Sequence, residues 1–249
     1  MSWFTESLSS SLGRKLIMSL TGIFLITFLV VHVAGNLQLL KLDGGESFNI
    51  YTKFMTTNPI IKTVSYLLYA GILAHVIYSI ILTRVNRSAR PVKYAYEKAS
   101  TNSTWASRNM GLLGAVVLFF LVVHMRSFWF EMKFGDGVPM VEYDGEDYKN
   151  LYALVVTAFS QWWYVLIYLV SLAFLGFHLS HGFASAFQTL GLNHKKYTPF
   201  IEKLGLAFAI IVPILFATQP IAIFFWTQTG ALDPSVYEEM IKTAQLAGQ

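Results

Sequence analysis

The chain has 249 residues and no cysteine; 55% of its residues are hydrophobic, 16% are aromatic and only 13% are charged. A soluble domain of this length is about a quarter charged, so the composition excludes a soluble globular protein and indicates a membrane protein. The lack of cysteine excludes disulfides and cysteine-ligated iron–sulfur clusters, and a net charge of +4 gives no reason to expect a nucleic-acid partner.

Five apolar stretches are long enough to cross a bilayer, which takes roughly 20 residues. They cover approximately residues 16–40, 60–83, 110–130, 151–190 and 204–227. The first is too long for a signal-peptide core, and no small-residue cleavage site follows it, so we expect it to be retained. The fourth is too long for one crossing, and we expect its first part to project from the membrane, with residues 161–163 at the interface. The predicted fold is all-α: residues 1–249 form a single polytopic bundle of five transmembrane helices.

The charged residues between the spans separate into two groups. One group is basic: Arg14, Lys15, Arg84, Arg87, Arg90, Lys93, Lys98, Arg108, Lys195, Lys196 and Lys203. The other comprises the acidic loop 135–150 and five further acids, Asp43, Glu46, Asp233, Glu238 and Glu239. The positive-inside rule predicts that the basic side faces the cytoplasm. We therefore expect a multi-pass protein of the cytoplasmic (inner) membrane, with its N-terminus in the cytoplasm and its C-terminus outside.

Four successive spans each carry a histidine inside an apolar stretch: His32, His75, His124 and His178. Polar groups at this depth are costly and are usually functional. A single histidine can simply hydrogen-bond across a helix pair, but four on four helices indicate a shared purpose. Haem iron accepts neutral imidazole as an axial ligand, and two histidines on facing helices can hold one porphyrin. The residues therefore predict two bis-histidine haems of the b type, bound without a covalent link.

Other roles for these histidines fit less well. A structural zinc site gathers its four ligands at one point, and a proton relay pairs histidines with buried carboxylates, which the central parts of the spans lack. His181, three residues after His178, occupies a neighbouring direction on the same helix and competes with it as a ligand. His194 lies among lysines and is expected to face headgroups or a partner.

Two glycines give a weaker sign of the same cofactors. Gly22 precedes His32 by ten residues, and Gly114 precedes His124 by ten. Each glycine is therefore about 15 Å from that histidine along its helix. A second haem would lie at about that depth, and small residues there would let its flat face approach the backbone.

Two stretches carry a resemblance to a known family: HVAGN, which ends the first-helix segment SLGRKLIMSLTGIFLITFLVVHVAGN, and FHLSHGFASAF in the fourth helix. The chain resembles the membrane cytochrome b subunit of succinate dehydrogenase and fumarate reductase, in the class where one five-helix chain carries two haems. The resemblance covers nearly the whole chain. The family's H-x-x-x-G pattern matches His178 and Gly182, which favours His178 over His181 as the ligand.

The resemblance implies a function and a set of partners. His32, His75, His124 and His178 would be the axial ligands of two haems b. A flavoprotein subunit would interconvert succinate and fumarate, an iron–sulfur subunit would exchange electrons with this anchor, and menaquinone would be the substrate in the membrane. The chain would thus be the quinone-reactive electron-transfer subunit of an oxidoreductase of the respiratory chain and tricarboxylic acid cycle, with no succinate site of its own. The direction of turnover stays open.

Two other functions remain as alternatives. Within redox proteins, the alternative is the haem subunit of a membrane hydrogenase or formate dehydrogenase. From another class, the alternative is a transporter with a histidine-lined path; Pro213 and Pro220 interrupt the fifth span, but no matching broken helix occurs in the first half of the chain. The chain also departs from the family at Gly176, where some fumarate-reducing members carry a glutamate linked to proton movement.

Several charged and polar residues have more than one expected role. Ser19 matches a family position near the propionates of the haem closer to the cytoplasm, and Arg14 and Lys15 either neutralise those propionates or are ordinary cytoplasmic flanking residues. Arg126 either pairs with the propionates of the outer haem, faces the quinone, or reaches the outer headgroups. The loop 84–108, with six basic residues and one acid, joins residues 194–196 either in docking the iron–sulfur subunit or in contacting lipid headgroups.

The pairing of the four histidines follows from topology and depth. At a rise of 1.5 Å per residue, His32 is about 27 Å from the cytoplasmic entry of its helix and His124 about 24 Å. His75 is only about 14 Å from its cytoplasmic end, and His178 is about 24 Å inward of the outer interface near Trp162. We therefore predict that His32 and His124 hold the outer haem, while His75 and His178 hold the inner one.

Overall fold

A computed structural model describes residues 6, 9–89 and 103–248 of the chain. The structure is 81% helical, and five of its helices are long and apolar enough to cross a membrane. These findings confirm a mostly helical fold with five helices of membrane-spanning length, as predicted for a multi-pass protein. Three basic residues of the predicted docking loop, Arg90, Lys93 and Lys98, lie outside the described residues, as does Glu97.

The elements in chain order are α1 (Ser11–Asn36), α2 (Glu46–Thr57), α3 (Pro59–Ser88), α4 (Trp105–Arg108), α5 (Met110–Phe134), the strands β1 (Met140–Tyr143) and β2 (Glu146–Lys149), α6 (Leu151–Phe159), α7 (Trp162–Thr189), α8 (Thr198–Gln228) and α9 (Pro234–Ala247). A 3₁₀ turn at Leu37–Leu40 extends α1, and α5 contains a π-helical turn at Met125–Phe130. The membrane-length helices are α1, α3, α5, α7 and α8.

The stretch 151–190 forms two helices. Helix α6 ends at Phe159, and α7 begins at Trp162. At the break, the hydroxyl of Ser160 donates to the carbonyl of Thr157 over 2.8 Å, a local bond of the kind that competes with helix continuation. The start of α6 is fixed by Asn150, whose side chain accepts from the backbone N–H of Ala153. The membrane-length part of this stretch is therefore the 28 residues of α7.

The structure divides into two compact units: unit 1 comprises residues 1–29, 65–116 and 174–211, and unit 2 comprises residues 30–64, 117–173 and 212–249. Each of the five long helices contributes residues to both units. In unit 1, glycine allows close approach between helices: a Cβ added at Gly205 would lie 2.7 Å from the ring of Phe183, and one at Gly71 would lie 3.3 Å from Phe24. The core of this unit includes the buried side chains of Leu113 and Leu179.

Unit 2 has an aromatic core and contains a β-hairpin. Its core includes Phe128, Tyr152, Phe159, Tyr164 and Tyr168. Strands β1 and β2 form an antiparallel hairpin. Its two turn residues, Asp144 and Gly145, both have positive φ, as a two-residue hairpin turn of this hand requires.

The buried side-chain amide of Asn49 links α2 to the hairpin and to the start of α6 by hydrogen bonds. Asn49 donates to Asn150 over 3.0 Å and to the hydroxyl of Tyr143 over 3.1 Å, and it accepts from the backbone N–H of Tyr152. Asn49 is fully buried. Because a buried amide is costly unless it is paired, this network holds the three elements in one arrangement.

Candidate functional site

In unit 1, the rings of His75 on α3 and His178 on α7 face each other, with centroids 6.4 Å apart and planes inclined at 61°. Two glycines from the other helices of this unit adjoin the pair. A Cβ added at Gly22 on α1 would lie 3.6 Å from Cε1 of His75, and one at Gly114 on α5 would lie 3.8 Å from Cε1 of His178. Four spanning helices thus meet around this pair, with small residues against both imidazoles.

A threonine on α1 contacts one of the two ring nitrogens of His75. Nδ1 lies 3.1 Å from Oγ1 of Thr21. The Thr21 hydroxyl donates its single proton to carbonyls of its own helix, at 2.8 Å to Ile17 or 3.1 Å to Met18. With its proton so placed, the hydroxyl oxygen can accept from Nδ1 of His75. In this arrangement the proton of His75 is on Nδ1, and the lone pair of Nε2 is available for a metal.

His178 differs from His75 in having an unsatisfied nitrogen. Its Nδ1 is buried and has no hydrogen-bond partner among the described residues. Buried polar atoms are nearly always paired, and leaving one unpaired costs roughly 1 to 3 kcal/mol. One buried ring nitrogen of the pair is thus unpaired beside a second histidine.

In unit 2, His32 on α1 and His124 on α5 form a second pair, with ring centroids 5.7 Å apart and planes inclined at 85°. Aromatic rings surround it: Phe216 lies 5.5 Å from His32, and Phe120 and Phe128 lie 5.8 and 5.6 Å from His124. His124 directly precedes the π-helical turn of α5. Such turns are frequent at functional sites because they change the direction of the side chains that follow.

A tyrosine on α7 contacts His124. Nδ1 of His124 lies 3.0 Å from the hydroxyl oxygen of Tyr168, which in turn lies 3.4 Å from the hydroxyl of Tyr164. Only 6% of the surface of Tyr168 is exposed. A buried chain of polar atoms therefore runs from the imidazole through two tyrosines, and it restrains the orientation of the His124 ring.

The separations between the histidine rings are close to those of two imidazoles bound to one metal, and they are also within the range of packed aromatic rings. Two imidazoles bound to one metal have ring centres about 6 to 6.5 Å apart, given a metal–nitrogen bond of about 2.0 to 2.1 Å on each side. The His75–His178 pair falls in this range, and the His32–His124 pair is shorter, at 5.7 Å. Packed aromatic rings also lie at about 4.5 to 7 Å. The distances therefore fit both a shared metal and ordinary ring packing.

The two ring contacts join the same histidines that the depths predict to share a haem; that either pair binds haem stays a prediction. His178, rather than His181, makes the ring contact with His75; His181 is half-buried on the same helix. His194 is exposed and belongs to the turn before α8, where its Nδ1 accepts from the backbone N–H of Lys196. No group of three or more histidine, cysteine or carboxylate side chains that could hold a metal ion occurs in the described ranges.

The residues predicted to lie near propionates have different surroundings. Ser19 is buried in unit 1, with 5% of its surface exposed, and its hydroxyl donates to the carbonyl of Lys15. Arg14 is half-buried and Lys15 is exposed. In unit 2, Arg126 forms an ion pair with Glu131, and 63% of its side chain is exposed. In this arrangement, Arg126 is held by a carboxylate of its own helix.

The sequence reasoning missed Thr21 and Tyr168. Thr21 is adjacent to Gly22, and Tyr168 precedes His178 by ten residues, the spacing that relates Gly22 to His32 and Gly114 to His124. Applying that spacing to the fourth helix would have indicated Tyr168. Nothing in the sequence showed that Thr21 would contact His75.

Comparisons of this chain with models of protein families, with curated proteins and with solved structures found no match. The functional interpretation therefore depends on the residues themselves and on the resemblance described above.

Proposed function

We propose that the chain is the dihaem cytochrome b membrane subunit of a succinate:menaquinone oxidoreductase or of its counterpart, a quinol:fumarate reductase. The observation that carries the proposal is the meeting of four histidines from four membrane-length helices in two separate pairs, His75 with His178 and His32 with His124. Each pair would supply the two imidazoles that a haem b takes as ligands. Chance contacts between lone histidines would not be expected to use each of the four once.

The side chains around the pairs suit this role. Bound haem would supply reversible one-electron transfer at each site. With Nδ1 of His75 hydrogen-bonded to Thr21, Nε2 would be the ligand atom. Glycines 22 and 114 leave the faces of the His75–His178 pair open to a flat macrocycle. The phenylalanine rings around His32 and His124 exclude water from the second site.

The structure gives less support to the transporter alternative. Transporters of that class often bind substrate at helices broken near the middle of the membrane. Helix α8 continues through Pro213 and Pro220 without a break from Thr198 to Gln228. The haem subunit of a hydrogenase or formate dehydrogenase would share the two histidine pairs, so only the partner proteins separate that alternative from the proposal.

Quinone chemistry in this proposal belongs to unit 2. The charge asymmetry of the loops puts the N-terminus in the cytoplasm of the cell and the β1–β2 hairpin outside. The iron–sulfur subunit would then dock on the side of Arg84, Arg87 and Arg108, and menaquinone would react near the His32–His124 pair. Arg14, Lys15 and Ser19 are the candidates for the propionates of the other haem.

Single cysteines test this orientation, because the natural chain has none. Ser88→Cys and Glu142→Cys place a thiol at exposed positions on the two predicted sides. In intact cells, an impermeant maleimide should label the cysteine at position 142 and leave the one at position 88 unlabelled until the membrane is opened. The reverse result would overturn the orientation but would leave the histidine pairs unaffected.

The function itself is tested by purifying the tagged chain from its native membrane. We expect a subunit with covalently bound flavin and a subunit with iron–sulfur clusters to co-purify with it. The complex should couple succinate oxidation or fumarate reduction to the reduction or oxidation of a menaquinone analogue. Recovery of a nickel- or molybdenum-containing partner with neither activity would favour the hydrogenase or formate dehydrogenase alternative.

A further inference from the structure

A groove of about 340 Å³ opens within unit 2, away from both histidine pairs. Its walls come from four elements: α2, the start of α3, the end of α5, and the hairpin. Four lysines line it, Lys53, Lys62, Lys133 and Lys149, against a single carboxylate, Asp147. The groove is therefore a concentrated positive site.

The groove lies at a membrane boundary. Lys62 is three residues from the start of α3, and Lys133 is next to the last residue of α5. Because α1, α3 and α5 cross the membrane in succession, α3 begins and α5 ends on the same side. The two helices thus bring these lysines to the level at which a spanning segment leaves the hydrocarbon and reaches the headgroups.

The charge of the groove is opposite to that of the surface around it. The chain on this side of the membrane carries eleven acids: Asp43, Glu46, Glu131, Asp136, Glu142, Asp144, Glu146, Asp147, Asp233, Glu238 and Glu239. It carries seven basic residues, six of them lysines: Lys41, Lys53, Lys62, Arg126, Lys133, Lys149 and Lys242. Four of these lysines but only one of the acids line the groove, so the positive charges are gathered there.

Two of the four ammonium groups are available to bind an anion. Lys53 donates to the carboxylate of Glu146 over 2.8 Å, and Lys149 donates to the carbonyl of Met132 over 2.9 Å. Within the part of the chain that the structure describes, the ammonium groups of Lys62 and Lys133 have neither a hydrogen bond nor an ion pair. The threonine hydroxyls of the groove cannot substitute for them as donors, because they donate to helix carbonyls.

We propose that this groove binds the phosphate of an anionic phospholipid from the leaflet on the hairpin side. Lysine binds phosphate as a point charge through charge-assisted hydrogen bonds, and basic residues beside spanning helices attract anionic lipids. Met132 and Met140 also line the groove, so the glycerol and the first methylenes of a lipid have apolar contacts there. A soluble anion would gain nothing from them. This inference does not depend on the identity of the cofactors.

The test uses the full chain, purified from membranes with its subunits and cofactors and then stripped of loosely bound lipid by detergent. Thermal unfolding is followed during titration with phosphatidylglycerol, with phosphatidylcholine and with inorganic phosphate. Wild-type protein should be stabilised by phosphatidylglycerol alone, and it should retain that lipid in native mass spectrometry. In the double variant Lys62→Gln/Lys133→Gln, the apparent affinity should fall on the order of tenfold or more, given the contribution of each basic residue at an anionic surface.

Two further variants provide controls. Lys41→Gln/Lys242→Gln removes the same charge from the same side but outside the groove and should bind phosphatidylglycerol as wild type does. Lys62→Arg/Lys133→Arg keeps both charges and should bind as well. Equal stabilisation by phosphatidylcholine or by inorganic phosphate would overturn the proposal, as would equal losses in the groove and control double variants.

Discussion

Nδ1 of His124 lies 3.0 Å from the hydroxyl of Tyr168, a buried residue of the neighbouring long helix in unit 2. If His124 binds iron through Nε2, its Nδ1 carries a proton and Tyr168 accepts it, while the tyrosine proton is directed toward Tyr164. An acceptor at Nδ1 raises the basicity of the ligand and so favours the oxidised metal.

Tyr168→Phe should therefore raise the reduction potential of the haem held by His32 and His124. A net hydrogen bond contributes about 1 kcal/mol, which predicts a shift of some tens of millivolts. A redox titration of the purified protein measures it. Tyr164→Phe is the matched control and should have the smaller effect, because it leaves the bond to His124 intact. Unchanged potentials in Tyr168→Phe, with both haems present, would contradict this positioning role.

The contact of Gly114 with His178 predicts that haem binding decreases as the side chain at position 114 becomes larger. An added Cβ meets Cε1 of His178 at 3.8 Å, an ordinary contact, so Gly114→Ala should retain both haems. Gly114→Leu places more carbons against the imidazole, and we expect loss of the haem at His75 and His178 with the other retained. Gly111→Leu is the control, since Gly111 is exposed on the same helix. The ratio of haem to protein decides the outcome, and equal haem loss in both leucine variants would count against the contact.

The pairing of ligands predicts which histidine substitutions remove the same haem. His32→Ala and His124→Ala should each remove the same haem, and His75→Ala and His178→Ala should each remove the other, because a six-coordinate b-type site needs both imidazoles. His181→Ala should retain both. Low-temperature difference spectra and electron paramagnetic resonance distinguish the two haems. If His32→Ala and His75→Ala removed the same one, the pairing would be wrong.

A carboxylate in the loop before α2 should make the free energy of unfolding depend on pH. The carboxylate of Asp43 accepts from the backbone N–H groups of Gly45 and Ser47. Partial burial alone would raise the pKa of Asp43, but hydrogen bonds from Ser47 and Gly45 outweigh it and lower the pKa below its ordinary value of 3.8. A lowered folded-state pKa means that the stabilisation is complete above the unfolded-state value and is lost as the pH falls through the folded-state value.

Asp43→Ala should accordingly lower the free energy of unfolding by about 1 kcal/mol at neutral pH, as the loss of a helix cap does. The difference between wild type and variant should shrink as the pH falls from the unfolded-state pKa of 3.8 through the lower folded-state value. Thermal unfolding across this range measures it, with Glu142→Ala as an exposed control. A difference that stays constant with pH would show that the ionised carboxylate is not responsible.

Hydropathy and loop charge were sufficient to predict the five long helices, because a spanning segment must be both apolar and helical. The same arguments could not locate the break at Ser160 and Gln161, where a local hydrogen bond ends α6 while hydropathy stays high. The β1–β2 hairpin was also not predicted. The sequence feature that indicates a hairpin there is the Asp144–Gly145 turn, and it lies in a loop whose most obvious property is its acidic charge.

The histidines of the candidate site were predictable because an imidazole stands out in an apolar helix, and a constant rise per residue gave their depths. Their hydrogen-bond partners were not, since Thr21 and Tyr168 are ordinary residues for a membrane helix. Helical spacing gives depth along one helix, but the contact of Thr21 with His75 also depends on how α1 is rotated against α3. That rotation depends on packing at positions such as Gly22 and Gly71.

The measurement that tests the central claim most directly is a reduced-minus-oxidised difference spectrum of the purified wild-type chain, combined with a haem assay. The two histidine pairs predict b-type bands, two haems per chain released by acidic solvent without covalent attachment, and two steps in a redox titration. A chain purified in folded form from its native membrane that shows no b-type bands would contradict the dihaem assignment.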